Sequence, residues 1–183
     1  MKTAAILDLE RPLLAEFQRD PKGPKVAQIL SEYARAQRDW SEYARFTTGG
    51  YTRNLVARNE WFELLLLCWE KGQESPIHNH AGQNCWMAVL EGDIEEVQFD
   101  APRVAAPHSL VPRGSKLLQP GKVAFINDDI ALHLVRPAHG RRGVSLHLYS
   151  RPIEVCQVYD PETGRVGDRR MGYHSIRGAL VAG

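Results

Sequence analysis

The chain has 183 residues, 43% of them hydrophobic and 25% charged, which suits one packed core and is short for two. Its 23 basic and 22 acidic residues leave a net charge of +1, so no global field draws it to nucleic acid or an anionic membrane. No charge-free apolar run approaches the ~20 residues of a membrane span, and three cysteines are too few for a disulfide framework. The apolar patch near the N-terminus turns acidic too soon for a signal peptide, and a cytoplasmic location is expected.

Residues 1–46 read as helical. Leu13, Leu14 and Phe17 mark a short helix begun near Pro12. Val26, Ile29, Leu30 and Tyr33 fall on one face of a second helix, with Pro24 set at its start. The pentapeptide SEYAR occurs at 31–35 and again at 41–45, but two short copies build no repeat architecture. From Phe46 onward the period changes to two. Residues 51–60 and 61–70 read as strands joined near Asn59-Glu60. Residues 91–93 read as a hairpin turn, leading into a strand where Val97 and Phe99 alternate with Glu96 and Gln98. Residues 101–115, with Pro102, Pro107, Pro112 and Gly114, read as a loop. Strands follow at 134–137, 143–150 and 153–159, then a turn at 160–164 and a last strand through 171–176. The basic pairs Arg141-Arg142 and Arg169-Arg170 read as solvated turns. Many short strands without alternating helices predict a mainly-β fold, a barrel or sandwich behind a helical cap. One domain is expected over 1–183, with the cap at 1–46 and the barrel at 47–183.

The chemistry concentrates at residues 72–92. His78 and His80 are one residue apart, and on a strand two such side chains point the same way and can grip one metal ion. A third ligand is expected from a strand that pairs near the one carrying these two histidines. Three neutral imidazoles without a carboxylate leave two or three open positions on a divalent ion. In the strand at 143–150, Ser145, His147 and Tyr149 share one face while Val144, Leu146 and Leu148 share the other. A polar row inside a barrel is costly unless its members bond to each other or to a ligand. Cys68 and Cys156 sit in strand-like apolar runs and read as packing, whereas His139, His174 and His108 carry no assignment.

From Gly72, five residues lead to His78, one to His80, four to Cys85 and six to Gly92. This spacing is similar to the first motif of the cupin superfamily, with cysteine in place of the usual glutamate. The run 121–133, GKVAFINDDIALH, resembles the second motif more loosely, with His133 one residue late. Together with HNH, LCW, YTRN and SLHLY, these stretches resemble the cysteine dioxygenases, in the thiol dioxygenase branch of the cupins, over residues 46–176. The resemblance implies a cupin β-barrel and oxidation of L-cysteine by O2 to cysteine sulfinic acid. It implies an Fe(II) site of His78, His80 and His133, and a hydrogen-bonding row of Ser145, His147 and Tyr149 with Tyr149 facing the reacting groups. It further implies substrate contacts from Tyr51, Arg53 and Trp69, and a thioether between Cys85 and Tyr149. The implied partners are a small thiol and O2, with no nucleic acid and no membrane. Mammalian-type relatives follow the tyrosine with Ser-Pro, often through a cis peptide. Here Ser150-Arg151 stands instead, and since cis before a non-proline costs about 2.5–4 kcal/mol, a trans bond is expected. Three alternatives stay open: oxidation of another thiol such as 3-mercaptopropionate, a non-catalytic ligand-binding cupin, and a zinc or manganese cupin isomerase.

Overall fold

The computed structural model describes residues 5–101 and 110–182. Two helices, α1 (Glu10–Arg19) and α2 (Val26–Ala36), flanked by short 3-10 turns at Ile6–Leu9 and Asp39–Glu42, form the cap. Thirteen strands follow. β1 (Thr52–Arg58), β2 (Phe62–Trp69), β3 (Ile77–His78), β4 (Cys85–Glu91), β5 (Ile94–Asp100) and β6 (Val111–Leu118) come first. Then come β7 (Val123–Ile126), β8 (Leu132–Pro137), β9 (Gly143–Ser150), β10 (Val155–Tyr159), β11 (Val166–Arg170), β12 (Ser175–Ile176) and β13 (Ala179–Leu180). They make a seven-stranded sheet in the order β13-β12-β1-β2-β9-β4-β7, facing a six-stranded sheet in the order β11-β10-β3-β8-β5-β6.

The sequence pattern explains which sheet receives the cap. β2 is buried at every residue and β9 at all but its last, so neither face of these strands meets water. Val144, Leu146 and Leu148 on β9 and Leu64 and Leu66 on β2 point outward into one core, where Leu13 and Phe17 of α1 and Leu30 and Tyr33 of α2 cover them. Each fully buried leucine there contributes roughly 1.5–3 kcal/mol of burial free energy. Cys68 belongs to this outer core and packs as expected. The other face of the same strands carries Leu65, Leu67 and Trp69, which meet Ile94, Val135 and Ile153 in a second core between the sheets.

Four local expectations are corrected. Residues 91–93 make no hairpin, because β4 and β5 lie in different sheets; the turn is a corner from one sheet to the other. Gly92 makes that corner with φ 66°, and a Cβ there would stand 2.5 Å from the Arg142 carbonyl oxygen, so only glycine fits. Second, of the span read as a loop at 101–115, residues 102–109 lie outside the described residues and Val111–Leu118 is strand β6. β6 is a sheet edge paired only with β5, and an edge tolerates the missing N–H of Pro112. Third, the last strand does not run through 171–176. β11 ends at Arg170, and the chain crosses to the other sheet before Ser175 pairs in parallel with Asn54. Fourth, Arg169 and Arg170 lie on β11, an exposed strand, rather than in a turn. The Ser150–Arg151 bond is trans, and Arg151 takes φ 73°, a value no proline ring can adopt.

Candidate active site

Between the two sheets lies a cavity, partly open to solvent, with about 400 Å³ of space not filled by atoms. Each sheet supplies a different set of side chains. From the six-stranded sheet come His78, the last residue of β3, and His133 on β8, which are direct cross-strand partners. His80 lies two residues past the end of β3, so the ladder expected to carry both histidines stops at the first. The segment is held instead by Asn79, whose N–H donates to the Gln157 carbonyl at 3.1 Å, and by Asp128, whose carboxylate accepts the His80 backbone N–H at 2.6 Å. The intervening residue still brings the two imidazoles to one side.

The three histidines each offer a ligand nitrogen within 4.8 Å of the others, and the Nε2 atoms of His80 and His133 are 3.1 Å apart. Two nitrogens held at right angles on one ion, each at about 2.1 Å, stand about 3.0 Å apart. The donor set therefore fits a metal ion. On the far side of each ring Nδ1 faces an oxygen. His78 Nδ1 lies 2.9 Å from the Pro76 carbonyl, and His133 Nδ1 lies 2.9 Å from Glu96 Oε1. His80 Nδ1 is 3.4 Å from Asp128 Oδ1, an electrostatic contact without hydrogen-bond geometry. This arrangement turns Nε2 of each ring toward the shared centre.

Burial, then the neighbouring His80, pushes the His78 pKa down to about 3. Burial likewise holds His133 well below the ordinary range. Both rings are therefore neutral with lone pairs free for a metal. Burial also raises the Glu96 carboxyl, so its contact with His133 is a neutral N–H donating to a carboxyl oxygen rather than an ion pair. Neither Glu96, read as a polar residue alternating with Val97 and Phe99, nor Asp128 is a site residue in the sequence reading. The alternation at 94–99 drew attention to Val97 and Phe99, yet Ile94 and Glu96 are the buried residues of β5. A carboxylate at an inward strand position was the available signal.

The seven-stranded sheet supplies the rest. Trp69 Nε1–H donates to Ser145 Oγ at 3.0 Å, and Ser145 Oγ is 2.9 Å from His147 Nε2. With no other acceptor in reach among the described residues, the serine proton goes to Nε2. Nδ1 then carries the imidazole hydrogen and points at the Tyr149 hydroxyl 3.4 Å away. Burial, then the Arg53 charge, keeps His147 neutral. Tyr149 consequently accepts from the chain behind it and keeps its own O–H to donate into the cavity. Cys85 on β4 is the direct cross-strand partner of Tyr149, with Sγ 4.0 Å from His147 Nδ1. Burial first, then Glu96, raises the Cys85 pKa; burial first, then Cys85, raises that of Tyr149. Both groups are protonated in the resting fold, and Cys85 is a free thiol.

Arg53 on β1 is buried to 9% exposure, its Nε–H donating to the Gly172 carbonyl at 3.2 Å. Its Nη2 has no hydrogen-bond acceptor among the described residues. The guanidinium carbon lies 5.9 Å from the Tyr149 ring centre. Tyr51 stacks on Trp69 at 4.5 Å between ring centres. Tyr51, Arg53, Trp69, His78, His80, His147 and Tyr149 all line the cavity, and Ser145 and Cys85 are fully buried behind it. Cys156, read as packing, is buried but also lines the cavity, with its Sγ 3.4 Å from Met171 Sδ.

Two facing sheets around a three-histidine group define a fold of the cupin, or double-stranded β-helix, class. A solved protein of Klebsiella pneumoniae, described as an uncharacterized conserved protein with a double-stranded beta-helix domain, shares this fold. It superposes with a TM-score of 0.51 over 73% of this chain and 89% of its own, at 16% identity. Within that class the chain belongs to the family described as Cysteine dioxygenase type I, whose profile matches residues 1–162. Cysteine dioxygenase type 1 of Danio rerio is 38% identical over 181 residues, covering 97% of this chain and 90% of the relative. The Homo sapiens protein of the same name is 35% identical over 178 residues, covering 96% and 88%.

Proposed function

We propose that this chain oxidises L-cysteine with dioxygen to cysteine sulfinic acid, with Fe(II) held by His78, His80 and His133. Iron held by these three rings would leave open positions for the thiol substrate and oxygen and would favour the ionised form of the thiol. The protein's own residues do the rest. Arg53 presents a buried cation, with no hydrogen-bond acceptor for Nη2 among the described residues, to the substrate carboxylate. Tyr51 and Trp69, stacked on each other, wall the cavity and keep water from that contact. Tyr149 donates its O–H to substrate or oxygen, and the relay from Trp69 through Ser145 and His147 fixes the direction of that donation.

The observation that carries this reading is the joining of two features at one cavity: a three-imidazole group, His78 and His80 of which line it, and a buried arginine nitrogen without a hydrogen-bond acceptor among the described residues. An isomerase or a passive ligand-binding barrel needs no such pairing. We further place a thioether between Cys85 and Tyr149, which stand opposite each other on adjacent strands. An S–H and a ring C–H would be lost and one S–C bond formed, with two protons and two electrons passing to oxygen. Among the described residues no helix is long and apolar enough to cross a membrane, and three buried free thiols suit a reducing compartment such as the cytoplasm.

The test is anaerobic loading with Fe(II), then oxygen uptake with L-cysteine, cysteamine and 3-mercaptopropionate side by side. L-Cysteine is expected to be consumed fastest, with one sulfinate formed per O2. A preference for cysteamine, which lacks the carboxylate, would overturn the substrate assignment.

A further inference from the structure

Arg53 does not stand alone in the cavity wall. Glu63 on β2 is fully buried, and its Oε2 lies 3.6 Å from Arg53 Nη2. Its other oxygen accepts the Tyr173 hydroxyl proton, and that hydroxyl in turn accepts from Arg58 Nη1 at 2.6 Å. The Ile153 backbone N–H approaches Oε2 at 3.5 Å. Burial, then the bond to Glu63, raises the Tyr173 pKa to about 12, so the phenol keeps its proton and remains a donor. Glu63 is also the direct cross-strand partner of Tyr149, as Cys85 is on the opposite side. A buried carboxylate thus lies in the same row as the residues proposed to act on substrate.

The Arg53–Glu63 contact is electrostatic rather than directional. At 3.6 Å no hydrogen bond forms, and the guanidinium is oriented by the Gly172 carbonyl on Nε. What Glu63 supplies to Arg53 is therefore charge. In a water-poor cavity a fixed anion so close cancels much of the field that an incoming carboxylate would feel.

We propose that Glu63 is an internal counter-ion that sets how strongly Arg53 holds the substrate carboxylate, and so how sharply the site separates carboxylate-bearing thiols from those without one. This rests on the reading of Arg53 as the carboxylate contact. Glu63 permits a buried arginine in the empty cavity and weakens its grip on product, which carries both a carboxylate and a sulfinate. The site trades tight anion binding for release.

The experiment compares L-cysteine with cysteamine in iron-loaded wild type, Glu63→Gln, Arg53→Ala and the double variant. Glu63→Gln keeps the shape and an acceptor oxygen for Tyr173 while removing the charge. The ratio of kcat/KM for L-cysteine over cysteamine is expected to rise roughly three- to tenfold, carried by a lower KM for L-cysteine. The rise should vanish when Arg53→Ala is combined with it. Glu63→Asn, a second neutral variant, should move the ratio in the same direction, and iron content and thermal unfolding check that each variant is folded. An unchanged or lowered ratio in the folded Glu63 variants overturns the proposal while leaving the Arg53 assignment standing. An unchanged ratio in Arg53→Ala alone overturns that assignment, and the counter-ion role with it.

Discussion

The two sheets divide the work of the cavity between them. The six-stranded sheet brings His78, His133 and Glu96, and its connecting turns bring His80 and Asp128. The seven-stranded sheet brings Arg53, Glu63, Trp69, Cys85, Ser145, His147 and Tyr149. One wall holds the metal site and the other faces what would bind to it. They also differ in how they are supported. The first is open to solvent on its outer face, as the exposed β6 and β11 show, while the second has the helical cap packed across its back. The wall that must hold hydroxyl, imidazole and phenol to a fixed direction is the wall with two cores. The histidine wall would need less backing, because an ion held by three rings would add rigidity of its own.

This division can be broken from either side. His133→Ala removes a ligand at the centre of the metal wall and should abolish both iron binding and oxygen uptake, as read by metal analysis of protein loaded and desalted anaerobically. Full iron content in that variant would end the three-histidine assignment. Glu96→Gln leaves the ligand in place but replaces the carboxyl oxygen that its Nδ1–H meets, and iron affinity should fall about 10- to 100-fold. A competition titration against a chelator reads that loss, and an affinity equal to wild type would reduce Glu96 to a packing residue. On the other wall, Cys85→Ala should retain full iron and lose turnover only severalfold, because the Tyr149 hydroxyl stays while its ring is held less firmly. Intact mass and peptide mapping sharpen the point. Wild type after many turnovers should be lighter by two hydrogens in linked peptides carrying Cys85 and Tyr149, and separate unmodified peptides would exclude the thioether.

Legibility in the sequence follows the same line. The seven-stranded wall was readable because its strands carry two cores: β9 alternates Val144, Leu146 and Leu148 against Ser145, His147 and Tyr149, and each set found its own side. The histidine spacing and its family resemblance pointed to the three histidines that the fold brings together. The oxygens behind the ligands were not readable. Glu96 looks like one more charge on a half-exposed strand until β5 is seen beside β8, and Asp128 acts from a turn through a backbone contact that no periodicity encodes. Glu63 was hidden for the same reason, since its partner lies across a strand pair and Tyr173 lies 110 residues away. Sheet membership was also unreadable at the corners. A glycine turn between two strands says hairpin, and only packing decides that Glu91 and Ile94 part company into opposite sheets.

The alternation along β9 constrains how this protein can change over generations. From Val144 to Tyr149 each position is committed to one of two environments, aliphatic side chains to the helices and polar ones to the cavity. Deleting or inserting one residue within Gly143–Ser150 would not shorten or lengthen a loop. It would exchange the two faces at once, driving an imidazole and a phenol under the helices and presenting leucines to the metal. Variation in this strand is therefore confined to replacement in place, and lineages that differ in length must carry the difference elsewhere, at the corners and sheet edges where a residue more or less turns nothing over.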